Sequence, residues 1–242
     1  MKTLALALIA ASSALAGTTD ERIPDAAYLT YAEGFRPFAQ PLRVVEVSGK
    51  RANSTAAVIG DHWAITAAHA VEDAATATVG TNRVETIWTH REFVKREFGW
   101  HDIAILRCAD DFGLKHYPPL ATGDEAEGDV VSIAGYGITG RLSRGYDRMD
   151  GKLRAGTARI LRFERTIIVS DARTATPMPL CISPGDSGGP WFAGAGRDAR
   201  LVGISSFTMR DKGPLRSQAG EEQGATRVSH FREWITEVMG AK

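Results

Sequence analysis

Short β-branched segments separated by turn-forming residues run through most of this chain, and this pattern limits the possible folds more than any other sequence feature. Gly, Asn, Asp and Pro lie between the segments, as expected for strands that are joined by turns. Many short strands with few helices indicate a β-barrel or a β-sandwich. The clearest predicted strands are residues 42–47, 56–59, 63–66, 103–106, 130–133, 166–169 and 201–204.

The C-terminal end departs from this pattern, because apolar residues recur there at helical spacing. Ser229, a good N-cap residue, precedes them, so a terminal amphipathic helix is predicted. The polar segment 210–224 is predicted to be an exposed loop. The apolar residues of the predicted helix are Phe231, Trp234, Ile235, Val238 and Met239.

The charge balance argues against one class of function. The 242 residues include 29 Lys and Arg against 29 Asp and Glu, so the formal net charge is zero. A protein that binds nucleic acid or an anionic membrane through bulk electrostatics needs a basic excess. We therefore predict neither partner for this chain.

Residues 1–16 have the pattern of an export signal. Lys2 is followed by an apolar run that ends in the small residues Ala14 and Ala16. A basic start, a short apolar stretch and an A-x-A site are typical of a secretory signal peptide, and the run is too short to span a bilayer. We expect a mature chain that begins at Gly17 and is secreted or periplasmic, without a membrane anchor.

Two cysteines, Cys108 and Cys181, allow at most one disulfide in an exported protein. Their spacing leaves open whether they pair, and two buried free thiols fit the sequence at least as well. Stability is therefore expected to come mainly from the hydrophobic core.

A serine surrounded by glycines lies in the segment 184–190, P-G-D-S-G-G-P. Glycines let the backbone approach a substrate closely and direct successive N–H groups at one point, which is what stabilising a tetrahedral oxyanion requires. The motif is short, and a Gly-rich turn that merely contains Ser187 is an equally good interpretation of it taken alone.

A serine hydroxyl needs a base, and His69 is the best placed of the six histidines. It directly follows a β-patterned run among small residues, although a histidine in that setting is more often structural. A carboxylate should then fix the tautomer of the imidazole. Asp102 qualifies because it begins a segment that resembles a buried strand, where an unpaired charge is costly. An ordinary Asp at the edge of a strand is the alternative.

Three motifs taken together resemble the chymotrypsin-like (trypsin-like) serine protease family, in the family's chain order of His, Asp and Ser. They are T-A-A-H at 66–69, H-D-I-A-I-L at 101–106 and G-D-S-G-G-P at 185–190. The resemblance covers the chain from about residue 42 to the C-terminus. The arrangement C-I-S-P-G-D-S at 181–187 is similar to secreted bacterial members such as the streptogrisin and α-lytic groups. Further matches are G-Y-G at 135–137, G-I-S-S-F at 203–207 and the segment 227–235.

The resemblance implies an all-β fold of two antiparallel six-stranded β-barrels with a C-terminal α-helix and an active site between the barrels. We expect the protease domain to cover residues 23–242. The first barrel is expected at about 23–118 and the second at about 119–242.

The resemblance also implies the roles of the site residues. His69, Asp102 and Ser187 are the implied catalytic residues, and the backbone N–H groups of Gly185 and Ser187 form the implied oxyanion hole. No metal ion and no organic cofactor is implied.

The expected substrate pocket departs from the trypsin-like pattern. Cys181 stands six positions before Ser187, where trypsin-like members carry an Asp that selects Lys or Arg. We therefore predict a preference for an apolar or small side chain on the acyl side of the cleaved bond, unless Glu221 or Glu222 folds into the pocket. The implied substrate-binding residues are Cys181, Ile182, Ser206, Phe207 and Thr208, of which Ser206 also supports Asp102.

Activation by cleavage is a further implication of the family. In many members, cleavage frees an Ile or Val amine that pairs with the Asp just before the nucleophile, here Asp186. The bond between Arg22 and Ile23 is the predicted cleavage point, although Pro24 and Asp25 depart from the Val-Gly-Gly that is usual after the cut.

Two other functions are also considered. G-D-S-G-G satisfies the G-x-S-x-G elbow of α/β-hydrolases, which would indicate an esterase. That fold needs strands alternating with long helices, and only His230 follows the serine in this chain. A protease-shaped binding protein without catalysis is the second alternative.

The predicted partners are protein or peptide substrates, and the protein is predicted to be a monomer.

Overall fold

Strands make up most of the chain in the computed structural model, which describes residues 17–95, 99–148, 150–172, 176–194 and 198–240. The predicted signal peptide, residues 1–16, lies outside the described residues. In chain order the elements are β1 (Thr18–Thr19), α1 (Asp25–Ala32), β2 (Ala39–Glu46), β3 (Arg51–Gly60), β4 (Trp63–Thr66), β5 (Ala74–Val79), β6 (Asn82–Thr89), β7 (Ala104–Cys108), β8 (Val130–Gly135), β9 (Thr139–Arg141), β10 (Gly145–Arg148), β11 (Arg154–Glu164), β12 (Ile167–Asp171), β13 (Leu180–Cys181), β14 (Pro190–Ala193), β15 (Arg200–Met209), β16 (Glu222–Arg227) and α2 (Arg232–Gly240).

Twelve of these strands close into two antiparallel barrels, as predicted. The first barrel has the strand order β2-β3-β4-β7-β6-β5, and the second has the order β11-β12-β16-β15-β14-β8. Each of the predicted strands coincides with part of a barrel strand and extends beyond its end by at most one residue. A closed barrel leaves no exposed sheet edge, which explains how so many short strands are accommodated.

A small sheet joins the N-terminal segment to the second half of the chain. Its order is β10-β9-β1-β13, in which β1 pairs parallel with β9 and antiparallel with β13. Thr18 is opposite Cys181, and Thr19 is opposite Leu180. The residues just after Gly17 are therefore fixed close to the segment that leads to Ser187.

Helix α1 packs on the second barrel, although its residues precede the first barrel in sequence. Tyr28 is buried in the apolar cluster of the second barrel and donates a hydrogen bond to the carbonyl of Pro179 at 2.9 Å. Asp25, in the first turn of α1, makes two 2.7 Å bonds with the buried guanidinium of Arg154. The predicted division at about residue 118 therefore differs from the structure for this segment.

Helix α2 is the predicted terminal helix, but it begins later than predicted. A 3₁₀ turn covers Val228–Phe231, and the Ser229 hydroxyl in it bonds to Glu125 at 3.0 Å instead of capping a helix at that point. Ile235 and Val238 are buried on the inner face of α2.

The largest apolar cluster lies between the two barrels and α2. The first barrel, the second barrel and α2 contribute to it, so burial of this surface holds the barrels together. Its larger members include Ile65, Ile103 and Ile105 from the first barrel, Phe192, Leu201 and Ile204 from the second, and Ile235 and Val238 from α2.

Both cysteines are free and buried, so they do not form a disulfide. Cys108 belongs to the core of the first barrel, whereas Cys181 packs with Leu142 and Ala172. The prediction of an exposed loop at 210–224 is wrong in part, because Ser217, Glu221 and Gln223 are buried.

Candidate active site

The pairing of β4 with β7 places His69 and Asp102 at the same end of neighbouring strands. Thr66, the last residue of β4, is opposite Ala104, the first residue of β7. His69 follows β4 on a 3₁₀ turn, and Asp102 lies just before β7. Antiparallel pairing therefore brings the residue after one strand next to the residue before the other.

Three side chains predicted from the sequence form one hydrogen-bonded line. His69 Nδ1 is 2.7 Å from Asp102 Oδ2, and His69 Nε2 is 2.8 Å from Ser187 Oγ. The backbone N–H of His69 also donates to Asp102 Oδ1 at 2.9 Å. Because a carboxylate only accepts, Nδ1 carries the proton of the neutral imidazole, and Nε2 is left to accept from the serine hydroxyl.

Asp102 has further partners from the second barrel. The Ser206 hydroxyl donates to Asp102 Oδ2 at 2.5 Å, and the Thr226 hydroxyl donates to its backbone carbonyl at 2.8 Å. The pairing of β15 with β16 shifts register between Ser205 and Phe207, so Ser206 is the extra residue of a β-bulge. A bulge re-aims a side chain, which accounts for Ser206 facing Asp102.

The charge state of this pair follows from its surroundings. Burial alone would raise the pKa of Asp102, but the charge of His69 and the hydrogen bonds from His69 and Ser206 outweigh it, so the pKa is lowered. Loss of hydration around His69 would by itself lower the pKa of its imidazole. The charge of Asp102 and its hydrogen bond outweigh this effect and raise the pKa above the ordinary value. The His69 side chain remains 38 % exposed. The imidazole is thus basic and open to a substrate.

Glycines let the Ser187 loop dock against the first barrel. Gly188 has a φ of +80°, and a Cβ there would collide with the Thr66 hydroxyl and the Thr55 carbonyl. Thr55 binds the same loop, because its N–H donates to the Ser187 carbonyl and its hydroxyl donates to the Gly185 carbonyl, both at 2.9 Å. No sequence signal marked Thr55, which only precedes an apolar run.

The predicted oxyanion donors are two backbone N–H groups in the loop of Ser187. Gly185 has a φ of +98°, a conformation that glycine adopts without strain. Within the described part of the chain, no acceptor is hydrogen-bonded to the backbone N–H of Gly185 or of Ser187. Both N–H groups therefore have their hydrogen-bonding capacity left for a ligand near Ser187.

The carboxylate of Asp186 points away from Ser187 Oγ into the protein. Its oxygens accept from the backbone N–H of Gly17 at 2.8 Å, Gly137 at 2.7 Å and Ser183 at 2.8 Å. Burial raises the pKa of this carboxyl to about 6, against the opposing effect of those N–H donors. Ile23, whose amine was predicted to pair with Asp186 after cleavage, donates its N–H to the Asp20 carbonyl in the uncut chain.

The predicted substrate-binding strand, β15, runs past the catalytic line. Beyond Ser205, its residues Phe207, Thr208 and Met209 pair with β16 and, among the described strands, with no other. The Phe207 ring packs closely on Gly224 and Gly99, where a Cβ would collide with it. The other edge of this part of β15 can therefore add an extended peptide.

The other predicted pocket residues, Cys181 and Ile182, are buried, and sequence reasoning missed the residue that bonds to the backbone on either side of Cys181. Gln223 accepts the Ile182 N–H at 2.7 Å and donates to the Leu180 carbonyl at 2.9 Å. Gln223 is itself fully buried. It lies in a segment with the composition of a loop, so its inward orientation had no sequence signal.

Neither Glu221 nor Glu222 offers a free carboxylate. Glu221 is buried and accepts backbone N–H groups from Arg216 at 2.9 Å and Ser217 at 2.8 Å. Glu222 makes two 2.8 Å bonds with the guanidinium of Arg162.

No group of three or more His, Cys, Asp or Glu side chains in the described residues is arranged to hold a metal ion. The helices in this part of the chain are also too short or too polar to cross a bilayer.

Comparisons with known proteins agree with the fold. A sequence model of the trypsin family matches residues 36–235. The chain is 26 % identical to the chymase of Papio hamadryas over 237 residues, which cover 85 % of this chain and 87 % of the relative. It is also 26 % identical to mast cell protease 2 of Ovis aries over 231 residues, covering 84 % and 86 %. The solved structure of HL collagenase superposes with a TM-score of 0.67 at 20 % identity, covering 86 % of this chain and 96 % of that one. Because the family match extends over most of its length, the chain belongs to the trypsin family.

Proposed function

We propose that this protein is a secreted serine endopeptidase that cleaves peptide bonds through an acyl-enzyme. The observation that carries the proposal is the unbroken line from Asp102 through His69 to Ser187, at 2.7 and 2.8 Å. The two N–H donors beside Ser187 support it, because an acyl transfer needs both a nucleophile and a site for the oxyanion.

Each step follows from the protonation states at the site. Ser187 Oγ attacks the scissile carbonyl while its proton moves to His69 Nε2. The N–H groups of Gly185 and Ser187 stabilise the oxyanion, and one such donor is typically worth about 3 to 4 kcal/mol of barrier. His69 then gives its proton to the leaving amine. Asp102 stabilises the imidazolium, and water releases the acyl group by the reverse sequence.

The edge of β15 that faces away from β16 supports a peptide as the substrate. An extended peptide that pairs with Ser206, Phe207 and Thr208 would run alongside the Ser187 loop, with main-chain hydrogen bonds supplying part of the affinity. A small ester makes no such ladder. This favours endopeptidase activity over the esterase alternative.

The proposed preference is for an apolar or small side chain on the acyl side of the cleaved bond. Gln223 supports it, because its neutral amide bonds to the backbone of Leu180 and Ile182, the two neighbours of the expected pocket residue Cys181. The Glu221 carboxylate already accepts two backbone N–H groups and pairs with the Arg210 side chain at 3.4 Å, so it is not a free partner for a substrate Lys or Arg.

Substitution of Gln223 tests this specificity. Gln223→Gly should open the pocket, raising kcat/KM for a large apolar residue relative to Ala on the acyl side by about 10-fold, as expected for a few added methylene contacts. Ser48→Ala, at an exposed position, is the matched surface control. The rate of labelling by a fluorophosphonate shows whether the variant site is intact. An intact site with an unchanged preference contradicts the specificity proposal.

Ser187→Ala tests the function itself, with Ser48→Ala as the control. Peptide cleavage should fall by roughly 10⁶-fold, and a fluorophosphonate should label wild type and Ser48→Ala at Ser187 but leave Ser187→Ala unmodified. Peptide binding without turnover or labelling in the wild type would favour the inactive binding protein. Turnover of short esters but of no peptide would favour the esterase.

The proposal includes export and a monomeric state. An N-terminal signal of residues 1–16 would deliver the chain to the periplasm or the medium. Fractionation of the producing cells, followed by size-exclusion chromatography of the exported protein, tests both statements.

A further inference from the structure

The Asp186 carboxylate is a buried charge for which the described residues supply only neutral donors. Asp186 is 2 % exposed. Its hydrogen-bond donors are the backbone N–H groups of Gly17, Gly137 and Ser183, and the Ser183 hydroxyl at 3.2 Å. A buried carboxylate normally requires a cation as its partner. The nearest atom that can become a cation is the nitrogen of Gly17, 2.8 Å from Asp186 Oδ2.

Gly17 is held at this point by its neighbours. Thr18 and Thr19 form β1 between β9 and β13, and the Thr18 hydroxyl donates to the Ser217 carbonyl. A Cβ on Gly17 would lie only 3.0 Å from the Leu180 side chain. The nitrogen is therefore aimed at Asp186 by a paired strand.

The residue held in this position is also the one predicted to follow the export signal. Hydrolysis of the bond between Ala16 and Gly17 adds one water molecule. Ala16 leaves with a new carboxylate, and the nitrogen of Gly17 becomes an amine that is protonated near neutral pH. The cut changes the partner of Asp186 from an amide to an ammonium.

We propose that cleavage between Ala16 and Gly17, which removes the export signal, is also the step that activates this protein, by creating an ion pair between the Gly17 ammonium and Asp186. No second cleavage is needed. The inference rests on the proposed proteolytic function and specifies how that site becomes active.

The link from Asp186 to the reacting atoms is short. Asp186 lies between Gly185 and Ser187, the two residues that carry the oxyanion donors. Its N–H donates to the Ser183 carbonyl and its carbonyl accepts from Gly189, both within the same loop. An ion pair that fixes the Asp186 side chain therefore fixes the orientation of both neighbouring N–H groups.

The bond between Arg22 and Ile23 does not serve this purpose in the structure. The Ile23 N–H closes a turn onto Asp20, and α1 begins two residues later, anchored by Asp25 to Arg154. A cut after Arg22 would separate Gly17 and β1 covalently from the rest of the protein. The Ile23 amine could then reach Asp186 only if this anchored segment detached. Our prediction of cleavage after Arg22 is replaced by cleavage before Gly17.

The test compares two preparations of the natural sequence. One begins at Gly17 and the other at Ala16, each released from a removable N-terminal fusion that leaves no extra residue, and each checked by intact mass before and after the assay. The single added residue turns the Gly17 nitrogen back into an amide. We expect the Ala16 form to have a kcat/KM at least about 100-fold lower, as for loss of one oxyanion donor.

Two further measurements keep the outcome unambiguous. An Arg22→Gln variant that begins at Gly17 should keep full activity, and N-terminal sequencing of the exported, active protein should start at Gly17. Equal activity of the Ala16 and Gly17 forms overturns the inference, and so does an active species that begins at Ile23. If neither form cleaves peptides or reacts with a fluorophosphonate, the proposed function itself fails and the inference fails with it. That result is distinguishable from two equally active forms.

Discussion

Asp102 and Asp186 are equally buried aspartates whose pKa values shift in opposite directions. Each is 2 % exposed. Despite its burial, Asp102 has a lowered pKa, because the imidazole of His69 can carry a positive charge against it. Burial raises the pKa of Asp186 to about 6, because neutral N–H groups compensate only in part.

The difference shows that the partner, and not the depth of burial, decides whether a buried carboxylate stays ionised. At the first site the partner is a side chain and is present in every form of the chain. At the second site the partner becomes a cation only when the chain is cut. Under the proposed function, Asp102 can stabilise the His69 imidazolium in every form of the chain, whereas the ionisation of Asp186 depends on whether the chain begins at Gly17.

Breaking the Asp102 side of this comparison should have the largest effect. Asp102→Asn removes the charge and lets the imidazole adopt the wrong tautomer, so kcat should fall about 10⁴-fold. Because Asp102 raises the pKa of His69, the acid limb of the kcat/KM profile should move to lower pH in the variant. A pH–rate profile measures both, with a thermal melt as the folding control. An unmoved acid limb would contradict the assigned pairing.

Breaking the Asp186 side should cost less, because the nucleophile and the base remain. Asp186→Asn keeps the size of the side chain but loses the ion pair with the Gly17 ammonium. We expect kcat/KM to fall about 10²- to 10³-fold, the effect of a disturbed oxyanion hole. The difference between the Gly17 and Ala16 forms should also disappear in this variant. A persisting difference would mean that the amine acts on some other group.

The sequence predicted the barrels well because their buried strands have a regular apolar pattern. Residues 63–66 coincide with β4, and 130–133 fall within β8. The barrel strands β5, β6, β11, β14 and β16 were not among the clearest predicted strands. In β5 and β6 many side chains face solvent, so their polar residues hide the alternation. Local patterns cannot show such strands, because long-range pairing decides where they lie.

The residues of the candidate site were recognisable by type, whereas their supports were not. His69, Asp102 and Ser187 belong to motifs that carry their own chemical logic. Thr55 and Gln223 are ordinary polar residues. Each bonds to a partner more than 40 positions away in the sequence, Thr55 to Gly185 and Gln223 to Leu180. The register of distant strands determines such contacts, so one sequence without its fold does not reveal them.

A change of pH should separate the two states of Asp186 without any substitution. In the Ala16 form the folded-state pKa is raised from 3.8 to about 6, so between these values the native state holds a proton that the unfolded state has lost. Its stability therefore falls as pH rises from about 4 to about 6, by on the order of 3 kcal/mol. In the Gly17 form the ammonium favours the ionised carboxylate, so this loss should be absent.

Urea unfolding of both forms at pH 4, 5 and 6 measures this difference. Other groups titrate alike in the two forms and cancel. The neighbouring Cys181 thiol stays protonated over this range, because burial raises its pKa well above the usual value. Parallel stability curves for the two forms would exclude an ion pair at Asp186.

The smallest expected effect comes from the link between the two sites, the Thr55 hydroxyl. It donates to the Gly185 carbonyl at 2.9 Å and accepts the Tyr136 N–H at 3.0 Å. Thr55→Val keeps the shape but leaves both groups unpaired, at a typical cost of about 1 to 3 kcal/mol, so kcat/KM should fall about 10-fold. Thr55→Ser retains the hydroxyl and should restore most of the rate. If the valine variant were as fast as the wild type and the serine variant slow, the methyl group and not the hydrogen bond would position the Ser187 loop. Positioning of the nucleophile by the first barrel would then depend on packing and on the backbone bond from Thr55 to Ser187.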